Sequence, residues 1–287
     1  MKYRIIFGLL SLVFSLAWMP LKAQEELRVM SFNIRLDHDG DGQHNWLFRK
    51  EAAAELLSLE NVDIVGTQEV LKNQLNDLLA GASAFASVGV GRFDGDTVGE
   101  YSAILYRKAR FEVHHSGNFW LSETPEVAGS KGWDAACERI VTWAVMKDLV
   151  TSKSFVFLNT HFDHVGRLAR KNSAVMLVEK AKEIAGDLPV ILTGDFNGTR
   201  SSDPIQVILK SNWLRDSGQL TTKKSGPEWS FHDFGRMAIA ERPLIDFVFV
   251  TDDVQVNTYK NIFKEIGDTF YSDHNPILVE VIIKSSN

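Results

Sequence analysis

Short apolar runs recur along the chain, each closed by polar residues or glycine. Their length and composition predict strands over Leu27–Ile34, Val62–Thr67, Tyr101–Tyr106, Ile140–Met146, Phe155–Thr160, Val190–Thr193, Ile245–Val250 and Ile277–Ile283. Elsewhere the apolar period lengthens to that of a helix. Ala52, Leu56 and Leu59 fall on one face of a first segment; Leu71, Leu75, Leu78 and Leu79 on one face of a second. Ala174, Leu177, Val178, Ala181, Ile184 and Ala185 mark a third. Early strands interleaved with helices, then strand-rich sequence, predict an α/β layered fold with mixed rather than purely parallel sheets. Without an internal repeat, low-complexity tract or Pro/Ser-rich linker, residues 24–287 read as one domain. The Gly- and Asp-rich stretch Gly89–Gly99 has no core pattern and is expected to be a surface connection.

Composition narrows the class. With 45% apolar and 24% charged residues in 287, the chain can bury a full core, which excludes a disordered tail or a small disulfide scaffold. The single cysteine, Cys137, excludes an intrachain disulfide and Cys/His zinc spacings, and is expected to be buried as a small apolar residue. Residues 1–23 stand apart. Lys2 and Arg4 precede the apolar run Ile5–Met19, and Ala23 offers a small residue before Gln24, the pattern of a secretory signal peptide. Export to the periplasm or beyond follows, with no stable membrane anchor after cleavage. Removing Lys2, Arg4 and Lys22 from 31 basic residues leaves 28 against 37 acidic ones, a net charge of −9. That balance does not favour binding nucleic acid through its phosphates. It suits an enzyme that attracts a phosphate ester through a divalent cation held by carboxylates. Nothing in the sequence calls for an obligate protein partner.

The chemistry lies where the strands end. Asn33 closes Val29–Asn33, Glu69 follows Ile64–Gln68, His161 closes Phe157–His161, and Asp195 and Asn197 follow Ile191–Gly194. Asp246 opens a strand, and Asp273-His274 precedes another. Loops at strand ends of a rigid sheet are where α/β proteins place their sites. Carboxylates and amides suit a hard, oxygen-preferring ion such as Mg²⁺ or Mn²⁺, and two histidines supply acid/base or charge-stabilising groups. One such residue alone is commonly a cap or turn former. Six positions, each flanking a buried strand, are not explained that way.

Ser31-Phe32-Asn33, Gln68-Glu69-Val70, Asn159-Thr160-His161, Gly194-Asp195-Phe196-Asn197, Ile245-Asp246-Phe247 and Ser272-Asp273-His274-Asn275-Pro276 resemble, in this order, the motifs of the endonuclease/exonuclease/phosphatase (DNase I-like) superfamily. The chain looks most like bacterial secreted members related to its deadenylase/nocturnin branch. The resemblance implies a four-layer α/β sandwich, two mixed β-sheets packed face to face with helices on the outside. It implies that Asn33, Glu69 and Asp273 hold Mg²⁺ or Mn²⁺. It further implies that Asp195, helped by Asn197, activates the attacking water, that His274, oriented by Asp246, contacts the phosphate, and that His161 stabilises charge. The expected reaction is in-line hydrolysis of a phosphodiester or phosphomonoester, the substrate being a small molecule, nucleotide or lipid head group. An exported DNA or RNA nuclease is the alternative and would show a basic stripe. A non-catalytic binding module would lack a motif residue, and none is missing.

Other residues bear on the substrate. Asp163 and His164 extend the His161 motif; Arg167, Arg170 and Lys171 cluster where the third helix begins; Arg139 enters a strand. Arg139, Asp163, His164, Arg167 and Arg170 are therefore candidate substrate contacts, the alternatives being simple loop polarity for Asp163 and His164 and a surface ion pair for Arg139. Asp37–Gly42 begins like a calcium loop, but Phe48 stands where a bidentate Glu is required. Trp120, Trp133 and Trp229 read as packing residues rather than stacking platforms, and Phe231-His232 as cleft wall or core.

Overall fold

A computed structural model describes residues 25–284; the expected signal peptide lies outside them. Within this span the strands are β1 (Leu27–Asn33), β2 (Ile64–Gln68), β3 (Phe85–Val88), β4 (Ile104–Arg107), β5 (Phe111–Trp120), β6 (Ile140–Asp148) and β7 (Ser154–His161). They continue as β8 (Val190–Asp195), β9 (Arg215–Asp216), β10 (Lys224–Ser225), β11 (Asp246–Val250), β12 (Val254–Asn261), β13 (Glu265–Ile266), β14 (Thr269–Phe270) and β15 (Ile277–Ile283). The helices are α1 (Trp46–Leu59), α2 (Lys72–Gly81), α3 (Arg167–Ala185), α4 (Asp203–Lys210) and α5 (Ser217–Leu220).

Two mixed sheets result, ordered β10-β12-β15-β1-β2-β4-β3 and β5-β6-β7-β8-β11-β9. The central strands are buried on both faces, which is why they read as continuous apolar runs rather than alternating ones. In β1, Leu27 and Val29 join the core between the sheets while Met30 and Phe32 pack outward with α1 and α2. In β7, Phe155 and Phe157 face inward, and Val156 and Leu158 meet α3. Three cores between four layers make the α/β/β/α sandwich.

The inward faces change chemistry along their length. Same-face positions two residues apart run Leu27, Val29, Ser31, Asn33 on β1 and Phe155, Phe157, Asn159, His161 on β7. They run Ile191, Thr193, Asp195 on β8, and Val250, Val248, Asp246 on β11. One end of the sandwich interior is therefore oil and the other is the site. Lateral register brings the polar ends level, with Asn33 opposite Gln68, His161 opposite Asp195, and Asp195 opposite Asp246. Asn159 fastens the sheets beneath. Its Nδ2 donates to the Thr67 and Ala103 carbonyls, and its Oδ1 accepts from Gln68 Nε2 at 2.7 Å and lies 3.0 Å from the Thr193 hydroxyl. Gly66 leaves room for this cluster: a Cβ there would lie 2.0 Å from Thr193 Oγ1.

Several expectations shift. Leu59 is exposed, and the buried stripe of α1 is Ala53, Ala54, Leu56 and Leu57. Tyr101 is an isolated bridge to Val70, so its strand starts at Ile104. Cys137 is half-buried and lines a cavity rather than the core. Gly89–Gly99 is a loop, but it carries the buried Arg92 inward. The edge strand β5, and β12 next to the two-residue edge strand β10, lack a continuous apolar run, since some of their positions face solvent. No helix among the described residues is long and apolar enough to cross a membrane.

Candidate active site

The polar strand ends open into a cavity of about 720 Å³. Three chain exits beside it turn through left-handed backbone at non-glycine residues, Arg35 (φ 59°), Glu69 (φ 61°) and Asn197 (φ 45°). Each such residue costs about 1–2 kcal/mol, and strain of this kind concentrates at functional sites.

Asp195, 1% exposed, is the centre. Its Oδ2 accepts from Asn33 Nδ2 at 3.0 Å and lies 3.5 Å from His161 Nε2 and 3.7 Å from His274 Nε2. Its Oδ1 accepts from the Asn197 N–H. Burial and the neighbouring charge of Asp246 push its carboxyl up to about 7. Asp246 Oδ2 holds His274 Nδ1 at 2.8 Å and accepts from the Ser230 hydroxyl. Burial works against the imidazolium of His274, but the charges of Asp246 and Asp195 and the Asp246 hydrogen bond outweigh it, and its pKa stands well above the ordinary histidine value. His161 goes the other way, held well below by burial and then by Arg139 and Arg92. Asn197 Nδ2 donates to the Phe162 carbonyl at 2.9 Å and lies 3.0 Å from His161 Nε2, which a neutral imidazole accepts.

Asn33 Nδ2 also donates to Glu69 Oε1, while its Oδ1 accepts from the Arg35 N–H. Asn33 thus binds two carboxylates to each other. Burial opposes the Glu69 charge, but His274, the Asn33 hydrogen bond and Arg35 keep its pKa low. Asp273 is raised by burial and by Glu69. Arg35 lies 3.9 Å from each of Glu69 and Asp273, with its fork on Asp41 at 3.0 Å. Ligand atoms of Glu69, His161 and Asp195 lie close enough to converge on one ion; those of Asp195, Asp246 and His274 also cluster, but there the His274–Asp246 hydrogen bond takes up the histidine. The carboxylate oxygens of Glu69 and Asp195 fit a hard divalent cation.

The substrate candidates separate. Arg139, 5% exposed, and His164 line the cavity, with Arg139 Nη2 3.0 Å from His164 Nδ1. Asp163 is a loop clasp, its carboxylate accepting from the backbone of Val165, Gly166 and Cys137. Arg170 donates to the Asp163 carbonyl, Arg167 is exposed, and neither lines the cavity. The acidic residues of Asp37–Gly42 do not converge, since Asp41 is taken by Arg35 and Asp37 by Asn45 and Asn73. Trp120, Trp133 and Trp229 stay off the cavity. Of the Phe231-His232 pair, Phe231 lines it and His232 is core. Sequence reasoning missed Arg35, Arg92, Glu100 and the segment after Phe231, all on irregular backbone without a strand to announce them.

The sequence model of the Endonuclease/Exonuclease/phosphatase family matches residues 30–274. Among solved structures, an endonuclease/exonuclease/phosphatase from Bacteroides vulgatus is 42% identical, with a TM-score of 0.88, over 91% of this chain and all (100%) of that one. A mannosyl-6-phosphatase from Bacteroides thetaiotaomicron is 35% identical at TM-score 0.85, over 89% and 99%. The human Nocturnin catalytic domain, 17% identical, shares the fold at TM-score 0.70, over 89% and 93%. An uncharacterized Acanthamoeba polyphaga mimivirus protein is 26% identical over 82% of this chain and 92% of its own length. A longer protein of that virus is 23% identical over 59% of this chain, which spans 30% of its length.

Proposed function

The chain belongs to the endonuclease/exonuclease/phosphatase family, and on that footing we propose that it is an exported, divalent-metal-dependent phosphomonoesterase acting on a small sugar phosphate. The observation that carries this reading is Asp195 with the Nε2 atoms of His161 and His274 at 3.5 and 3.7 Å on the floor of an oxygen-rich cavity. The likeness to a mannosyl-6-phosphatase supports the substrate class. So does a mature charge unfavourable to polyanions.

Glu69 and Asp273 would hold Mg²⁺ or Mn²⁺, with Asn33 fixing the Glu69 carboxylate. When bound, the ion supplies Lewis-acid polarisation of the phosphoryl group. Asp195 takes a proton from the water that forms the new P–O bond as the P–O bond to the sugar breaks, and Asn197 aims it. The imidazolium of His274, held by Asp246, neutralises charge building on the phosphoryl oxygens. Neutral His161 steadies Asn197. The departing oxygen is protonated by solvent at the open cavity mouth.

Phosphate release from mannose 6-phosphate, beside plasmid DNA and RNA oligomers, tests the reading. Turnover of the monoester, abolished by a chelator and restored by Mg²⁺ or Mn²⁺, is expected. Cleavage of the polymers alone would make it a nuclease; no turnover of any with an intact fold would favour a binding module. Export is tested by N-terminal sequencing of the protein from periplasm or medium, with Gln24 expected first.

A further inference from the structure

The cavity that Arg92 and Arg139 line is also lined by a strap, Phe231–Glu241, with no strand or α-helix. Its backbone is exceptional: Asp233 (φ 50°), Phe234 (φ 51°) and Gly235 (φ 80°) are three successive left-handed residues, two of which carry a Cβ. Much of the surrounding structure holds this shape. Gly235 N–H donates to His232 Nδ1 at 3.0 Å, and Arg242 donates to the Met237 and Gly235 carbonyls at 2.9 and 3.1 Å. The Phe234 ring lies on His44, 4.4 Å away and 4° from parallel. At its start the strap is tied to the catalytic loop, by His232 N–H to the Asp273 carbonyl and by the Phe231–His274 bridge.

The strap presents two kinds of surface to the cavity. Phe231 and Met237 are apolar; Asp233 and Glu241 are carboxylates, and Arg236, 3.9 Å from Asp233, is the one cation the strap adds to them. Two carboxylates against one arginine leave this rim net negative, which does not favour a phosphate chain along it. A neutral ring bearing hydroxyls meets it with complementarity, because carboxylates accept from O–H groups and an aromatic face packs against C–H.

We propose that the strap is the subsite for the leaving group, with Asp233 and Glu241 accepting hydrogen bonds from the hydroxyls of a pyranose and Phe231 packing against its ring. The proposal rests on the phosphomonoesterase reading of the adjoining floor and adds the residues that select the sugar. Strain at Asp233 and Phe234 is the means by which a short segment points its carboxylate inward with little freedom left to lose on binding.

The test compares kcat/KM for mannose 6-phosphate with that for 4-nitrophenyl phosphate, whose leaving group has no sugar hydroxyls. Asp233→Asn keeps a residue tolerant of left-handed backbone while removing the charge, and Glu241→Gln is its counterpart at an exposed position. Each is expected to lower the ratio of the two constants about tenfold, mainly through KM for the sugar phosphate. An unchanged ratio in both variants overturns the strap assignment. If the wild-type protein hydrolyses neither ester, the phosphomonoesterase reading fails. Calorimetric titration with mannose 6-phosphate then decides the strap alone: weaker binding in Asp233→Asn supports it, while equal binding, or none by the wild type, overturns it.

Discussion

The His161 side and the His274 side of the site flank one carboxylate at nearly equal distances, 3.5 and 3.7 Å from Asp195, yet hold their protons in opposite ways. Both rings are buried, so desolvation acts on each alike. What differs is the company: Asp246 in hydrogen-bond contact on one side, Arg139 and Arg92 on the other. Two identical side chains become a cation and a neutral acceptor because of residues one layer further out. Acid/base assignment in this molecule is a property of its surroundings, and it should yield to changes made there.

The largest effect is expected from removing the cation itself. His274→Ala should lower kcat by about 10³-fold, whereas His161→Ala, losing a positioning contact, should cost nearer 10²-fold; equal losses would break the contrast. Asp246→Asn should follow, at about 10²-fold. It also carries a signature in pH. In the proposed mechanism His274 acts as the protonated form, so activity should fall as pH rises through its pKa; without the Asp246 charge that pKa drops, and the alkaline limb of kcat should move to lower pH.

Arg139→Met should sharpen the other side. Losing that charge lifts His161 toward the ordinary value, and the imidazole signals of His161 in an NMR titration should move to a higher midpoint. No movement would assign its depression to burial and the remaining charges, Arg92 first, rather than to Arg139. The mildest effect concerns stability. His232, 1% exposed, is held down to about 3, first by burial and then by the His274 charge. The unfolded chain protonates this group near 6.5 and the folded one does not, so stability is fully present above 6.5 and is lost as pH falls toward 3. The expected slope is about 1.4 kcal/mol per pH unit. His232→Asn, which keeps an acceptor for the Gly235 N–H, should flatten it in urea melts.

The same division separates what was legible in the sequence from what was not. Asn33, Glu69, His161, Asp195 and Asp246 stand out because a doubly buried strand is a conspicuous apolar run and a polar residue at its end is an interruption. Arg35, Arg92, Asp233 and Phe234 sit on backbone whose left-handed or looped geometry leaves no periodic trace. Arg49 was invisible for another reason. A charged residue on a helix reads as surface, yet this one is 0% exposed and donates to the carbonyls of Ile34, His44 and Tyr271. The cations at the start of α3 do not line the cavity, and that helix end has its own acid, Asp134, which accepts from the Leu168 and Ala169 N–H groups.

Asn159 and its neighbours carry a consequence for how such a molecule can change over generations. Gly66 has no side chain because Asn159 and Thr193 fill the space in front of it, and Gln68 spends its amide on Asn159. No single replacement among these positions leaves the others content: enlarging Gly66 collides, and shortening Asn159 removes a donor from the Thr67 carbonyl and one of the donors to the Ala103 carbonyl. The joint beneath the site can therefore be inherited or rebuilt, but not adjusted a step at a time. On the strap above it, Glu241 is exposed and can be exchanged singly, while Asp233 is limited to residues that accept left-handed backbone. A joint that changes only as a whole thus lies beneath a rim that can change one residue at a time.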